Sequence, residues 1–371
     1  MELHRPLSRR SMLHASALAL AGLGMAACSS TPTAAGSATA TTPATTGLST
    51  SAAVSGAAVS NTAASSAAAS RAATSSAAAA TFPITVQHKF GSTTITAAPT
   101  RVLSLGYTDH EVLLALGIVP IGVIQWIPEW KRGVGPWSEA ALKGTTPALF
   151  GYELDFEKAA ALKPDLILNI GFDPDQKTYD TLSAIAPTIA PPAGVKPYGV
   201  AWEQMTTLVS TAVGRAADGR RLIADTKALL AKTAAAHSAF GGKTFVVAAP
   251  YQGKLGYYEK SDIRAQLLHE IGLVDNELVA SRDAADFFST LSGEQAASLD
   301  ADVLIMFGDA GTTAASVLKT FPTLAAVPAV KDNRLIYLTD SQVSMAFSTA
   351  SVLSIPVALD AVVPKITEVL R

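Results

Sequence analysis

The chain has 371 residues, with 28 Lys plus Arg against 30 Asp plus Glu and a formal net charge of −2. That balance lacks the basic excess of a nucleic-acid binder, so no nucleic-acid partner is expected. A single cysteine rules out a disulfide framework within one chain, while the length allows two lobes that each bury a core.

Ser8-Arg9-Arg10-Ser11-Met12-Leu13 reads as a twin-arginine signature. The run of small and apolar residues from Ala15 to Ala27 is shorter than the roughly 20 residues a bilayer requires, and it fits the h-region of a signal peptide over 1–27. It ends at Met25-Ala26-Ala27-Cys28. A thiol in that position is what lipoprotein processing modifies, so Cys28 is expected to carry lipid and to begin the mature chain. From 28 to 81 the sequence is nearly all Ala, Ser and Thr, with Arg71 the only charge. Too few large side chains are present to offset the entropy of ordering, which predicts a disordered tether. The expected location is the extracytoplasmic face of the cell membrane, held by lipid.

Ile84 to Val86 and Thr94 to Ile95 predict a small hairpin, and Arg101 to Leu105 a buried strand. Thr108 followed three residues later by Glu111 reads as a capping box. The helix it opens has Val112, Leu113, Leu114 and Leu116 on its apolar face, with Gly117 closing it before a strand at 118–123. A pattern then occurs twice, LDFEKAAALKPDLIL at 154–168 and LSGEQAASLDADVLI at 291–305. Each copy reads as a short helix feeding a buried strand, and two copies suggest two similar lobes. Between them Ala216 to His237 is helical throughout, with Leu222, Ile223, Leu229 and Leu230 on one side. Strands at Thr244 to Ala249, Val303 to Phe307 and Leu335 to Leu338, and a helix from Ile263 to Ile271, follow. The alternation predicts an α/β protein of two Rossmann-like lobes with parallel sheets, 82–215 and 241–371, joined by one long backbone helix at 216–240. Such a helix makes a stiff hinge.

Catalytic and metal motifs do not survive inspection. Gly241-Gly242-Lys243-Thr244 lacks the first glycine of a phosphate loop and precedes a strand. Asp109-His110-Glu111 are consecutive and point apart on a helix, so capping is the better account. Beyond the leader, His88, His110, His237 and His269 show no metal-ligand spacing. No enzyme is expected.

Aromatic residues instead mark a cleft. Trp126, Trp130 and Trp137 share one loop with Lys131 and Arg132, beyond a strand end, where open α/β sheets bind ligands. Trp137 is expected to hold the loop together; Trp126, Trp130 and Arg132 are expected to face a ligand. Tyr107, at another strand end, joins them, with Phe172, Tyr198 and Trp202. The second half offers Tyr251, Tyr258, Arg282, Phe287 and Arg264, the last with a salt bridge to Asp262 as its alternative.

Pro99-Thr100-Arg101-Val102-Leu103-Ser104-Leu105, Leu114-Ala115-Leu116-Gly117 and Gly133-Val134-Gly135-Pro136-Trp137 occur in a telling order. They are followed by Leu162-Lys163-Pro164-Asp165-Leu166-Ile167, Ile185-Ala186-Pro187-Thr188 and Leu299-Asp300-Ala301-Asp302-Val303-Leu304. With these segments the chain resembles the helical-hinge class, class III, of periplasmic substrate-binding proteins, and within it the iron–siderophore lipoproteins of Actinobacteria. The resemblance implies a monomeric receptor that captures a ferric siderophore and delivers it to an ABC permease and ATPase complex. It also implies that Glu157 and Glu294, one in each repeat copy, dock onto permease arginines. The iron arrives with its oxygen ligands in place, so no cofactor or protein metal ligand is expected. The modest number of cleft cations favours a hydroxamate complex over a trianionic catecholate. Haem or cobalamin on the same fold, or a cell-envelope scaffold, are the alternatives.

Overall fold

The computed structural model describes residues 80–308 and 311–371. The leader, Cys28 and the tether as far as residue 79 lie outside the described residues.

The hairpin pairs β1 (Ile84–His88) with β2 (Gly91–Ile95). The first main sheet holds β3 (Val102–Ser104), β4 (Gly122–Ile124), β5 (Ala148–Phe150), β6 (Leu166–Leu168) and β7 (Thr188–Ile189). Its order is β5-β4-β3-β6-β7 and every pairing is parallel. Both faces are covered, which is why its strands read as unbroken apolar runs. Val102, Leu166 and Leu168 pack with Val112, Leu113, Met205 and Val209 on one side. Leu103 and Ile167 pack with Ala159 and Leu182 on the other.

The second sheet holds β8 (Thr244–Tyr251), β9 (Lys254–Tyr258), β10 (Val274–Asp275), β11 (Phe288–Leu291), β12 (Val303–Phe307) and β13 (Leu335–Leu338). Its order is β11-β9-β8-β12-β13, with β10 beside the start of β8. Alternation splits each strand between two cores. Phe245, Val247, Val303, Ile305 and Ile336 face the helices at Ile263–Glu270, Ser341–Thr349 and Ser354–Val369. Val246, Ala248, Leu304 and Met306 face the other way.

This sheet departs from the all-parallel expectation at one edge, where β9 runs antiparallel to both β8 and β11. The strand expected to stop at Ala249 continues to Tyr251 and turns back through Gln252 and Gly253, both at positive φ, 47° and 73°. That pair of conformations is the one a two-residue hairpin needs.

The chain crosses between the sheets through helices at Trp202–Ala212 and Ala216–Ala236, the second about 31 Å long at 1.5 Å per residue. Gly219 sits inside this helix because a Cβ there would collide with Ser210 of its neighbour. Leu230 is fully buried; Leu222, Ile223 and Leu229 are partly so.

Both repeat copies form what their pattern predicts, a short helical turn feeding a strand. The first is the helix Phe156–Ala161 before β6, and the second the 3₁₀ turn Gly293–Leu299 before β12. The aspartate that opens each strand does the same work twice. Asp165 accepts from the Thr100 amide at 2.7 Å, the Thr100 hydroxyl at 2.8 Å and the Arg101 amide at 2.8 Å. Asp302 accepts from the Thr244 amide at 2.9 Å and hydroxyl at 3.0 Å. In each lobe it thereby ties the start of one central strand to the next.

Candidate ligand-binding site

Each of the five strands of the first sheet sends an aromatic side chain out beyond its carboxyl end. Tyr107 follows β3, Trp126 follows β4, Tyr152 follows β5, Phe172 follows β6 and Tyr198 lies in the connection 190–201 after β7. Loops at that edge of a parallel sheet converge, so residues distant in sequence meet. Tyr107 is the hub, with ring centroids 5.5 Å from Trp126, 6.1 Å from Tyr152, 5.4 Å from Phe172 and 5.7 Å from Tyr198. Trp130 stands edge-on to Trp126 at 5.2 Å and to Trp137 at 5.4 Å. These tilted and edge-to-face geometries are those that ring quadrupoles favour.

The second lobe holds a ring cluster of its own in its core. Phe288 lies 5.6 Å from Tyr251 and 5.0 Å from Tyr258, and Tyr258 stacks on Phe307 at 5.7 Å. Tyr198 closes the gap, edge-on to Phe287 at 5.2 Å. Met345 packs onto the first-lobe rings from the far side. A small cavity of about 20 Å³ remains, lined by Tyr107, Thr108, Tyr198, Trp202, Thr349 and Ser351 among others.

The three arginines singled out in the sequence each lie beside a carboxylate. Arg264 is buried, not extended into the cleft. Its guanidinium donates to both Asp262 oxygens at 2.8 and 2.9 Å and to Ser348 at 3.0 Å, and lies 4.0 Å over the Tyr258 ring. Arg282 is half-exposed and stands 3.4 Å from the buried carboxylate of Glu259. Arg132 pairs with Glu139. Asp262 is two residues from Arg264, so the pairing follows from capping the helix Ile263–Glu270.

Glu111 overturns the capping-box expectation. Thr108 makes no side-chain cap, and the Glu111 carboxyl turns instead into the seam between the lobes. There it accepts from the Trp137 indole at 2.8 Å and from the Ser351 hydroxyl of the second lobe. Ser351 Oγ in turn accepts from the Leu353 and Ser354 amides, both at 3.1 Å, at the start of the last helix. Burial pushes Glu111 up to about 7, against the lowering effect of those two hydrogen bonds. Burial likewise raises Asp109 to about 6, although the Ile170 and Gly171 amides donate to it, and lowers His110 to about 4.

Trp137 holds the tryptophan loop in place. Trp202 and Tyr251 are buried, and Trp202 lines the cavity. Glu157 and Glu294 lie apart from this cluster, each exposed in the first turn of its repeat element. Tyr152, Phe307 and Ser351 were not singled out by the sequence. Tyr152 had a usable signal, being aromatic just past a strand; its hydroxyl donates to the Trp126 carbonyl at 2.9 Å. Among the described residues no group of three or more His, Cys, Asp or Glu side chains could hold a metal ion.

Residues 102–342 match the family model described as periplasmic binding protein. The chain belongs to the periplasmic binding proteins. Among curated members, it is 32% identical over 231 residues to a probable siderophore-binding lipoprotein, YfiY, of Bacillus subtilis, covering 60% of this chain and 68% of that protein. A periplasmic solute-binding protein from Mycobacterium smegmatis superposes with a TM-score of 0.69 at 32% identity, covering 78% of this chain and 99% of that one. PiaA of Streptococcus pneumoniae, solved in complex with ferrichrome, gives 0.68 at 30% identity, over 77% and 98% of the two chains. Members of this periplasmic binding protein family are solute-binding proteins, and the class III fold is shared.

Proposed function

We propose that this protein is an extracytoplasmic receptor that takes a ferric siderophore between its lobes and presents it to an ATP-driven importer. The observation that carries the reading is the cluster of aromatic rings gathered beyond the carboxyl ends of the first sheet's strands, met from the second lobe by Phe287 and Met345. Rings of this kind bury a large ligand with an apolar body and polar edges. The pairing of Arg132, Arg264 and Arg282 with Glu139, Asp262 and Glu259 leaves this region with little net positive charge. That favours a neutral ferric hydroxamate over a trianionic catecholate. A siderophore fills the coordination sphere of iron with its own oxygens, so the protein has only to enclose the complex.

Cys28 would anchor the receptor through lipid, and the twin-arginine leader would direct its export. Glu157 and Glu294 present one carboxylate from each lobe, on short rigid elements suited to fixing register against a basic permease surface. Lobe closure would set the spacing between them.

All four tryptophans of the chain, Trp126, Trp130, Trp137 and Trp202, lie in or beside the ring seam, so intrinsic fluorescence reads it directly. Titration of the full chain with ferrichrome, a ferric catecholate and haemin is the test. Saturable quenching by ferrichrome with a dissociation constant near or below about 1 μM supports the reading. Quenching by haemin alone moves it to haem uptake, and no saturable response to any of the three overturns it.

A further inference from the structure

The cavity between the lobes, about 20 Å³, has room for about one water. A pocket for a drug-sized ligand takes roughly 300–1,000 Å³. A ligand of that size therefore has to part rings that now touch.

Tyr198 differs from its neighbours in three respects. Its φ is +57°, a left-handed conformation that a bulky residue adopts only when its surroundings impose it. Its turn is fastened to the second lobe, where Gln266 donates to the Gly199 carbonyl at 3.2 Å and to the Ser261 carbonyl at 2.8 Å. Lys196 reaches Asp283 at 3.7 Å. Its ring nevertheless meets Tyr107 and Phe172 of the first lobe, at 5.7 and 6.3 Å, as well as Phe287 of the second. The connection carrying it, 190–201, has no helix or strand.

We propose that Tyr198 is a displaceable plug: its ring occupies part of the seat that the ligand takes, and ligand entry expels it as the lobes part, leaving rings such as Tyr107 to line the opened cleft. The inference rests on the receptor reading above. A plug competes with ligand, so the apparent affinity is the intrinsic affinity reduced by the fraction of molecules with the seat open. A wall residue such as Tyr107 acts in the opposite sense.

The test compares the full chain with Tyr198→Gly, Tyr198→Phe and Tyr107→Ala, each titrated with ferrichrome by tryptophan fluorescence and followed by stopped flow. Glycine accepts φ +57° without strain and removes the ring. The expected result is a dissociation constant about tenfold lower and faster association for Tyr198→Gly, an unchanged constant for Tyr198→Phe and weaker binding for Tyr107→Ala. Tyr198→Asn, which also tolerates positive φ, stands in if the glycine variant does not melt cooperatively. Ferrichrome binding to the unaltered chain with equal or weaker binding to Tyr198→Gly overturns the plug and leaves the receptor reading intact. Binding by Tyr198→Gly but not by the unaltered chain supports the plug, and ferrichrome binding by neither overturns it, the receptor reading being decided by the three-ligand titration of the unaltered chain.

Discussion

Glu111 shows how one buried carboxyl couples the lobes to pH. Its proton leaves at about 7 in the folded protein, against a usual value of 4.5. Below 4.5 both folded and unfolded chains hold the proton and the group makes no difference. Between 4.5 and about 7 only the unfolded chain releases it, so its contribution to stability falls as pH rises and then levels off. Glu111→Gln has no proton to lose, and its amide can still accept from Trp137 and donate to Ser351. The variant is expected to gain on the parent as pH rises through that window, by up to roughly 3 kcal/mol. Paired thermal melts from pH 4 to 8 measure the difference; one that stays flat would rule out a protonated Glu111 at the seam. The comparison has to be made at each pH, because His110 works in the opposite sense. Held neutral to about 4, it makes stability rise with pH between 4 and 6.5.

At the scale of elements, the two aspartate clamps explain why the repeat exists. Asp165 and Asp302 each hold the first residues of a neighbouring strand, 64 to 65 and 58 positions away. Hydrogen bonds to a charged acceptor contribute about 1.5–3 kcal/mol. Asp165→Ala and Asp302→Ala are therefore each expected to lower stability by about 2 kcal/mol, read as a shift in the urea midpoint at unchanged slope. A change under about 0.5 kcal/mol would make the clamps ornamental. The sequence displayed the pattern but not its cause, because the partner of each aspartate lies on another strand. Hairpin β8–β9 was missed for a different reason. Gln252-Gly253 is a weaker turn signal than Asn-Gly, and the tyrosines around it suggested a binding loop. Glu111 was misread because a capping box and a seam contact look identical in one dimension.

For the whole molecule, alternation of strands and helices was enough to predict two α/β lobes with a long crossing helix. Tyr107, Trp126, Trp130, Phe172 and Tyr198, though not Tyr152, could be picked out because aromatic residues past the ends of parallel strands have one place to converge. Their closure onto one another could not, since which rings touch depends on how the lobes meet. The exposed glutamates test the receptor at this scale. Glu157→Ala with Glu294→Ala is expected to leave ferrichrome binding within about twofold while reducing uptake of the iron complex by the protein's own cells at least about tenfold. Retained uptake would remove these residues from docking.

Pairing each of Arg132, Arg264 and Arg282 with a carboxylate has a kinetic consequence. A guanidinium held against a carboxylate exerts less long-range pull on an anion than a lone one, so these three arginines are expected to add little electrostatic steering. Capture then depends on shape and ring contact rather than on charge. Capture of a neutral ligand is then expected to change little in rate as ionic strength is raised.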